Sequence, residues 1–112
     1  MDCIFCKIAA GELPSKKVFE NDNVLAFHDI TPKAPVHVMM IPKKHISSAV
    51  EITGENSEVV AEIFEAIARI AVELGLTGGF RVGTNVGVHG AQTIPHLHFH
   101  LLGGRQLAAD MG

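Results

Sequence analysis

Between positions 96 and 102 the chain reads His96-Leu97-His98-Phe99-His100-Leu101-Leu102, and a strict alternation of this kind leaves the backbone little choice. In an extended strand successive side chains point to opposite faces, so the three imidazoles share one face while Leu97, Phe99 and Leu101 share the other. His96 to Leu102 is therefore predicted to be a strand with one face on an apolar core and the other lined with imidazole.

The rest of the chain supplies partners for such a strand. Lys17 to Glu20 and Val24 to His28 are short β-prone runs joined by Asn21-Asp22-Asn23, whose small polar side chains satisfy turn backbone, and they predict a hairpin. Val36 to Ile41 is fenced by Pro35 and Pro42, which cannot donate to a sheet ladder. Phe80 to Asn85 completes the set, with a glycine-bearing loop from Val86 to Pro95 before the histidines. From Thr53 to Leu74, Val59, Ile63, Ile67, Ile70 and Leu74 recur at spacings of three and four, predicting one long helix with Thr53 as N-cap and Gly75 as the stop. Five short strands and one long helix make an α+β domain with an antiparallel sheet.

At 112 residues and 47% hydrophobic content the chain can bury one core, so residues 1–112 are read as a single domain without repeats or linkers. A net charge of -3 with nine dispersed basic residues argues against a nucleic-acid groove, which demands a concentrated basic footprint. No stretch approaches the roughly 20 apolar residues of a membrane span. Asp2 and Cys3 stand where a secretory leader would be basic, and a cytoplasmic location is expected. The two cysteines, Cys3 and Cys6, close too short a loop to staple a fold, and their spacing suits a metal half-site or a redox pair.

For the histidines, one metal ion held by all three is disfavoured. Residues i and i+4 of a strand lie about 13 Å apart, against zinc–nitrogen bonds of about 2 Å. A solvated sheet face is the other plain reading, weakened by three of the seven histidines falling in register. Imidazoles that titrate near neutrality suit a reaction that uses an uncharged nucleophile beside a charged group for a phosphate or leaving group.

The run from His96 to Leu102 resembles the signature of the histidine triad (HIT) family of nucleotide hydrolases and transferases. The likeness extends over Cys3 to Ile8, Leu25 to Ile30, His37, Ile41 to Ile46 and Gly103-Gly104-Arg105-Gln106, and it is similar to the branch acting on purine nucleoside phosphoramidates. The resemblance implies a HIT-like domain with a short N-terminal helix, a homodimer, and hydrolysis of purine nucleoside 5'-phosphoramidates, aminoacyl adenylates included, through a nucleotidyl-histidine intermediate. It implies that His98 is the nucleophile, its inner ring nitrogen held by a backbone carbonyl. By the same likeness His100 and His37 contact the phosphate or organise the nucleophile, and Asn85, Gln92 and Thr93 surround the α-phosphate and leaving group. Relatives usually carry serine at the position of Thr93; threonine keeps the hydroxyl but stiffens χ1.

Asp29 matches the family's ribose-binding carboxylate, although taken alone it reads as a turn residue leading into Thr31-Pro32. Phe5, Leu13, Phe27, His28 and Ile30 match positions that sandwich the base, and alone Phe5, Phe27 and Ile30 read as core. His89 matches no triad position and reads as a surface histidine. Members with the two cysteines hold a structural zinc, and the resemblance implies Cys3, Cys6, His45 and His96 as its ligands, with no metal required for catalysis. Two rivals remain at this level: a nucleotide-binding module with incidental turnover, and a zinc-stabilised adaptor.

Overall fold

The computed structural model describes residues 3–112; Met1 and Asp2, the latter used above for the character of the N-terminus, lie outside the described residues. A short helix α1 (Ile4–Ala9) precedes strands β1 (Lys17–Glu20), β2 (Val24–His28) and β3 (Val36–Pro42). Helix α2 (Glu58–Glu73) follows, then β4 (Phe80–Thr84) and β5 (Phe99–Gly103). All pairings are antiparallel, in the order β1-β2-β3-β5-β4. The predicted α+β architecture, with one long helix, a short N-terminal helix and five strands, is what the chain adopts.

The two faces of the sheet do different work, as the period-2 pattern requires. Val24, Ala26, Val38, Met40, Phe99 and Leu101 lie in one apolar cluster with Ile63, Ile67 and Ile70 of α2. On the opposite face, Leu25, Phe27 and Ile41 pack with Cys3 and Phe5 of the N-terminal segment. His37, between Val36 and Val38, and His98 and His100, flanking Phe99, alternate onto this second face.

Local chemistry explains most of the boundaries. The hairpin turn forms as expected, with Asn21 Oδ1 accepting from the amides of Asn23 and Val24 at 2.9 and 2.8 Å. Helix α2 ends in a Schellman arrangement: Gly75 at φ 69° donates to Val72 O, and Leu76 N donates to Ala71 O at 2.9 Å.

Two boundaries differ from the sequence reading by more than one residue. Helix α2 is regular only from Glu58, although the cap expected at Thr53 forms: Thr53 Oγ1 accepts from Glu55 N, Asn56 Oδ1 accepts from Thr53 N at 2.7 Å, and Ser57 N donates to Thr53 O at 2.9 Å. This reciprocal cap closes a turn that leads into the helix. Strand β5 begins at Phe99 rather than His96. Its last partner on β3 is Met40, and over 96–98 the backbone is engaged elsewhere: Leu97 N donates to Ile46 O at 2.6 Å and the His96 carbonyl accepts from a side chain.

Candidate active site

The bend at His96 separates the three histidines into two groups. The His96 ring leaves the row and meets the N-terminal segment. Its Nδ1 lies 3.2 Å from Cys3 Sγ, 3.5 Å from Cys6 Sγ and 3.2 Å from His45 Nδ1, and Cys6 Sγ is 3.3 Å from His45 Nδ1. These separations match the edges of a tetrahedron around zinc, about 3.3 Å for N–N and 3.6 Å for N–S from bonds of about 2.05 and 2.3 Å.

The protonation of His96 fits the same assignment. Its Nε2 faces the Pro42 carbonyl at 2.9 Å. A carbonyl only accepts, so Nε2 carries the proton and the Nδ1 lone pair points at the thiols. Burial, and then the neighbouring Cys3, push the Cys6 thiol above its ordinary value, as expected of adjoining sulfurs without a cation between them. The donors present therefore fit a tetrahedral zinc ion.

The second group remains in a row. His98 and His100 have ring centroids 5.1 Å apart, and so do His37 and His100. His98 Nδ1 lies 2.7 Å from the His96 carbonyl oxygen and must donate to it, which leaves the lone pair on Nε2. The Lys33 amide donates to His37 Nδ1 at 3.0 Å, so the proton of His37 sits on Nε2, 2.8 Å from His100 Nδ1. His100 accepts there and keeps its own proton on Nε2. One backbone amide and one backbone carbonyl thus fix three tautomers, giving a bare nitrogen on His98 beside an N–H on His100.

Asp29 Oδ2 stands 3.4 Å from His37 Nε2. Asp29, His37 and His100 are close enough together to suggest another ligand set. The Lys33 amide, however, turns the His37 lone pair away from that point, and within the trio the hydrogen bond runs from His37 to His100. Burial is the main influence holding His37 below its ordinary value, with Asp29 opposing and Lys33 adding to it. The contact with Asp29 is accordingly that of a carboxylate beside a neutral ring whose Nε2–H is directed at His100. Burial, then His98 and His37, lower His100 to about 4. The charged imidazole anticipated from the sequence is thus replaced, at His37 and His100, by neutral N–H donors.

His37 and Asp29 also wall a cleft of about 540 Å³ with Lys16, His28, Ile30, Pro32 and Pro35. Ile30, in the lining of this cleft, is 96% exposed and free to cover a flat ligand. Leu13 is exposed as well. Phe5 and Phe27, read as base contacts, are buried at 3% and 4% exposure and packed edge to face at 5.8 Å, so little of either ring is offered to a base. Asp29 Oδ1 accepts from Thr31 N at 2.8 Å, which makes its turn role real alongside its place in the cleft.

In the loop before His96, Asn85 Nδ2 donates to Gly90 O, and Gln92 Nε2 donates to Ser47 O and Ile94 O while its Oε1 accepts from Gly87 N. Both amides are committed to loop backbone, Ala91 is held at φ 61°, and Thr93 is exposed. His89 is exposed, as read. Sequence reasoning missed Lys16, the Lys33 amide and the Pro42 carbonyl. The last two are backbone groups, which residue type does not reveal.

The comparisons with known proteins bear on this geometry. Residues 2–110 match the family model described as scavenger mRNA decapping enzyme C-term binding. An uncharacterised HIT-like protein of Synechococcus elongatus is 46% identical over 99% of this chain and 97% of its own length. The chain belongs to the histidine triad family. Among solved HIT structures, a histidine triad protein from Clostridium difficile superposes with a TM-score of 0.95 at 49% identity, covering 98% of this chain and 96% of that one. A HIT family hydrolase from Legionella pneumophila superposes at 0.96 with 46% identity, covering 99% and 100%.

Proposed function

We propose that this HIT protein hydrolyses purine nucleoside 5'-phosphoramidates, and aminoacyl adenylates beside them, with His98 as the nucleophile. The observation that carries the reading is the 2.7 Å contact from His98 Nδ1 to the His96 carbonyl, which presents Nε2 unprotonated. In the first step Nε2 bonds to the α-phosphorus while the bond to the leaving group breaks: in a phosphoramidate the P–N electron pair leaves on the amine, which takes up a proton from solvent, and in an aminoacyl adenylate the P–O electron pair leaves on the carboxylate. Water then attacks phosphorus, the P–N bond to His98 breaks, and the nucleoside monophosphate leaves as a proton passes to solvent. The His96 carbonyl stabilises the imidazolium of the intermediate, and two moderate barriers replace a high one.

His100 donates its Nε2–H to a phosphate oxygen, with His37 holding it in that tautomer. The Thr93 hydroxyl and backbone amides of its loop supply further donors as charge develops. Asn85 and Gln92 serve the α-phosphate by fixing the shape of that loop. Asp29 takes the ribose hydroxyls, and Leu13, His28 and Ile30 cover the base, with the edges of Phe5 and Phe27 behind it. The cleft, about 540 Å³, is of the size that small-molecule sites occupy.

Zinc at Cys3, Cys6, His45 and His96 would pin the N-terminal segment to the nucleophile strand and supply folding energy rather than chemistry. A homodimer accords with the exposed Phe64 and Val72 on α2 and Phe80 on the edge strand β4. Free thiols facing histidine nitrogens accord with a reducing compartment, and none of the described helices is long and apolar enough to cross a membrane. A cytoplasmic enzyme is the reading these support.

The test is His98→Ala and His98→Asn against adenosine 5'-phosphoramidate. Loss of an obligatory nucleophile should lower kcat by at least about a thousandfold while nucleotide still binds. Rapid quench of the native enzyme should give a nucleotidyl adduct on His98 by mass spectrometry. Near-normal turnover by His98→Ala would replace this mechanism with the binding-module reading.

A further inference from the structure

Of the groups set against the His98 ring, one belongs to a residue of the cysteine–histidine cluster and a second lies between its two cysteines. The ring's Nδ1 is held by the backbone carbonyl of His96, whose own ring points its Nδ1 lone pair into the cluster. Its edge is met by Phe5, centroids 5.1 Å apart at 82°. Phe5 lies between Cys3 and Cys6, is buried, and also meets His96 edge to face at 5.9 Å. His100 is a further neighbour.

We propose that Phe5 is a positioning residue for His98, so that a zinc ion bound by Cys3, Cys6, His45 and His96 sets the orientation of the nucleophile through the Phe5 ring and the His96 carbonyl. This rests on the reading of His98 as nucleophile. Helix α1 has six residues, too few to be stable on its own, and its place depends on what its side chains grip. One of those grips is the burial of Phe5 and the other is the cluster. With the ion bound, Cys3, Cys6 and His96 become one rigid unit and Phe5 is clamped against the imidazole. Without it nothing holds these donors at the 3.2–3.5 Å separations that suit the ion; α1 loosens, and His98 gains rotamers that aim Nε2 away from phosphorus. A displacement of 1 Å at a reacting atom is enough to cost roughly a hundredfold in rate.

Two measurements separate this from a base-contact role for Phe5 and from failure of the proposed reaction. The first needs no turnover: long-range proton–nitrogen spectra of the histidine rings, recorded on the zinc-loaded protein and after chelation. The coupling predicts a fixed Nδ1–H tautomer for His98 with zinc and an exchange-averaged pattern without it. Identical His98 signals in both states overturn the proposal. The second compares Phe5→Leu, and Phe5→Met should Leu fail to fold, at full zinc content. Positioning predicts kcat down about tenfold with KM within about twofold, and the His98 signals shifted toward the chelated pattern. A raised KM at unchanged kcat makes Phe5 a base contact and overturns the proposal. If the protein leaves phosphoramidates intact while its His98 signals follow zinc, the proposed reaction falls and the coupling stands.

Discussion

His37 and His100 face each other at 2.8 Å with one proton between them, and both are held below the ordinary histidine value, His100 to about 4. For each ring the principal cause is burial, which penalises the charged form. An unfolded chain takes up protons on these rings near 6.5, whereas the folded chain does so only at lower pH. Between 6.5 and about 4 the unfolded state therefore binds more protons, and stability falls as pH falls through that window. Urea midpoints at pH 7, 5.5 and 4.5 should decline in the native chain and decline less in His100→Gln; parallel declines would remove His100 as a source. At this scale the sequence was legible wherever side-chain alternation decides, as for the shared face of His98 and His100. Residue types were silent on what selects each ring's proton, since the Lys33 amide and the carbonyls of Pro42 and His96 belong to the backbone; for His98 alone the family resemblance implied a backbone carbonyl. Phe5 and Phe27 show a related limit: an aromatic near a site reads alike whether it faces a ligand or supports the residue that does.

Helix α2 and strand β5 show why boundaries are harder to read than elements. The apolar spacing of Ile63, Ile67 and Ile70 gave the helix and its buried side correctly, because burial is what that periodicity records. Its regular part begins only at Glu58 because a turn closed by the Thr53 hydroxyl and the Asn56 side chain stands between the cap and the helix. Its end was placed well because Gly75 answers a specific backbone demand at φ 69°. An added Cβ at Gly75 meets nothing within 4 Å, so Gly75→Ala should cost only the left-handed backbone penalty, about 1 kcal/mol. Denaturant unfolding should show a lower midpoint with an unchanged slope, and an unchanged midpoint would mean that the turn relaxes. The early strand assignment for His96 to His98 followed from side-chain alternation alone. That pattern persists through the extended segment even where the ladder has ended at the Met40–Phe99 pair.

For the whole molecule, the order β1-β2-β3-β5-β4 sets β4 at an edge with Phe80 exposed. Sedimentation at micromolar concentration should give a two-fold dimer, and a Phe80→Glu chain should sediment as a monomer if that edge is the contact; a monomeric native protein would remove the dimer. Neither the pairing of β3 with β5 across an intervening helix nor the convergence of the two chain ends could be derived from periodicity, which is local. The resemblance to the HIT family implied the second, through the ligand set Cys3, Cys6, His45 and His96, and did not give the first. That convergence also has a consequence for biosynthesis. Cys3 and His96 are 93 positions apart, and at ordinary translation rates roughly 5–20 s separate their emergence. For that interval the nascent chain carries two thiols without the His96 imidazole, His45 having emerged part-way through it. The ligand set and the nucleophile are completed together, when β5 joins the sheet, so the half-made protein has no competent histidine to attack a nucleotide.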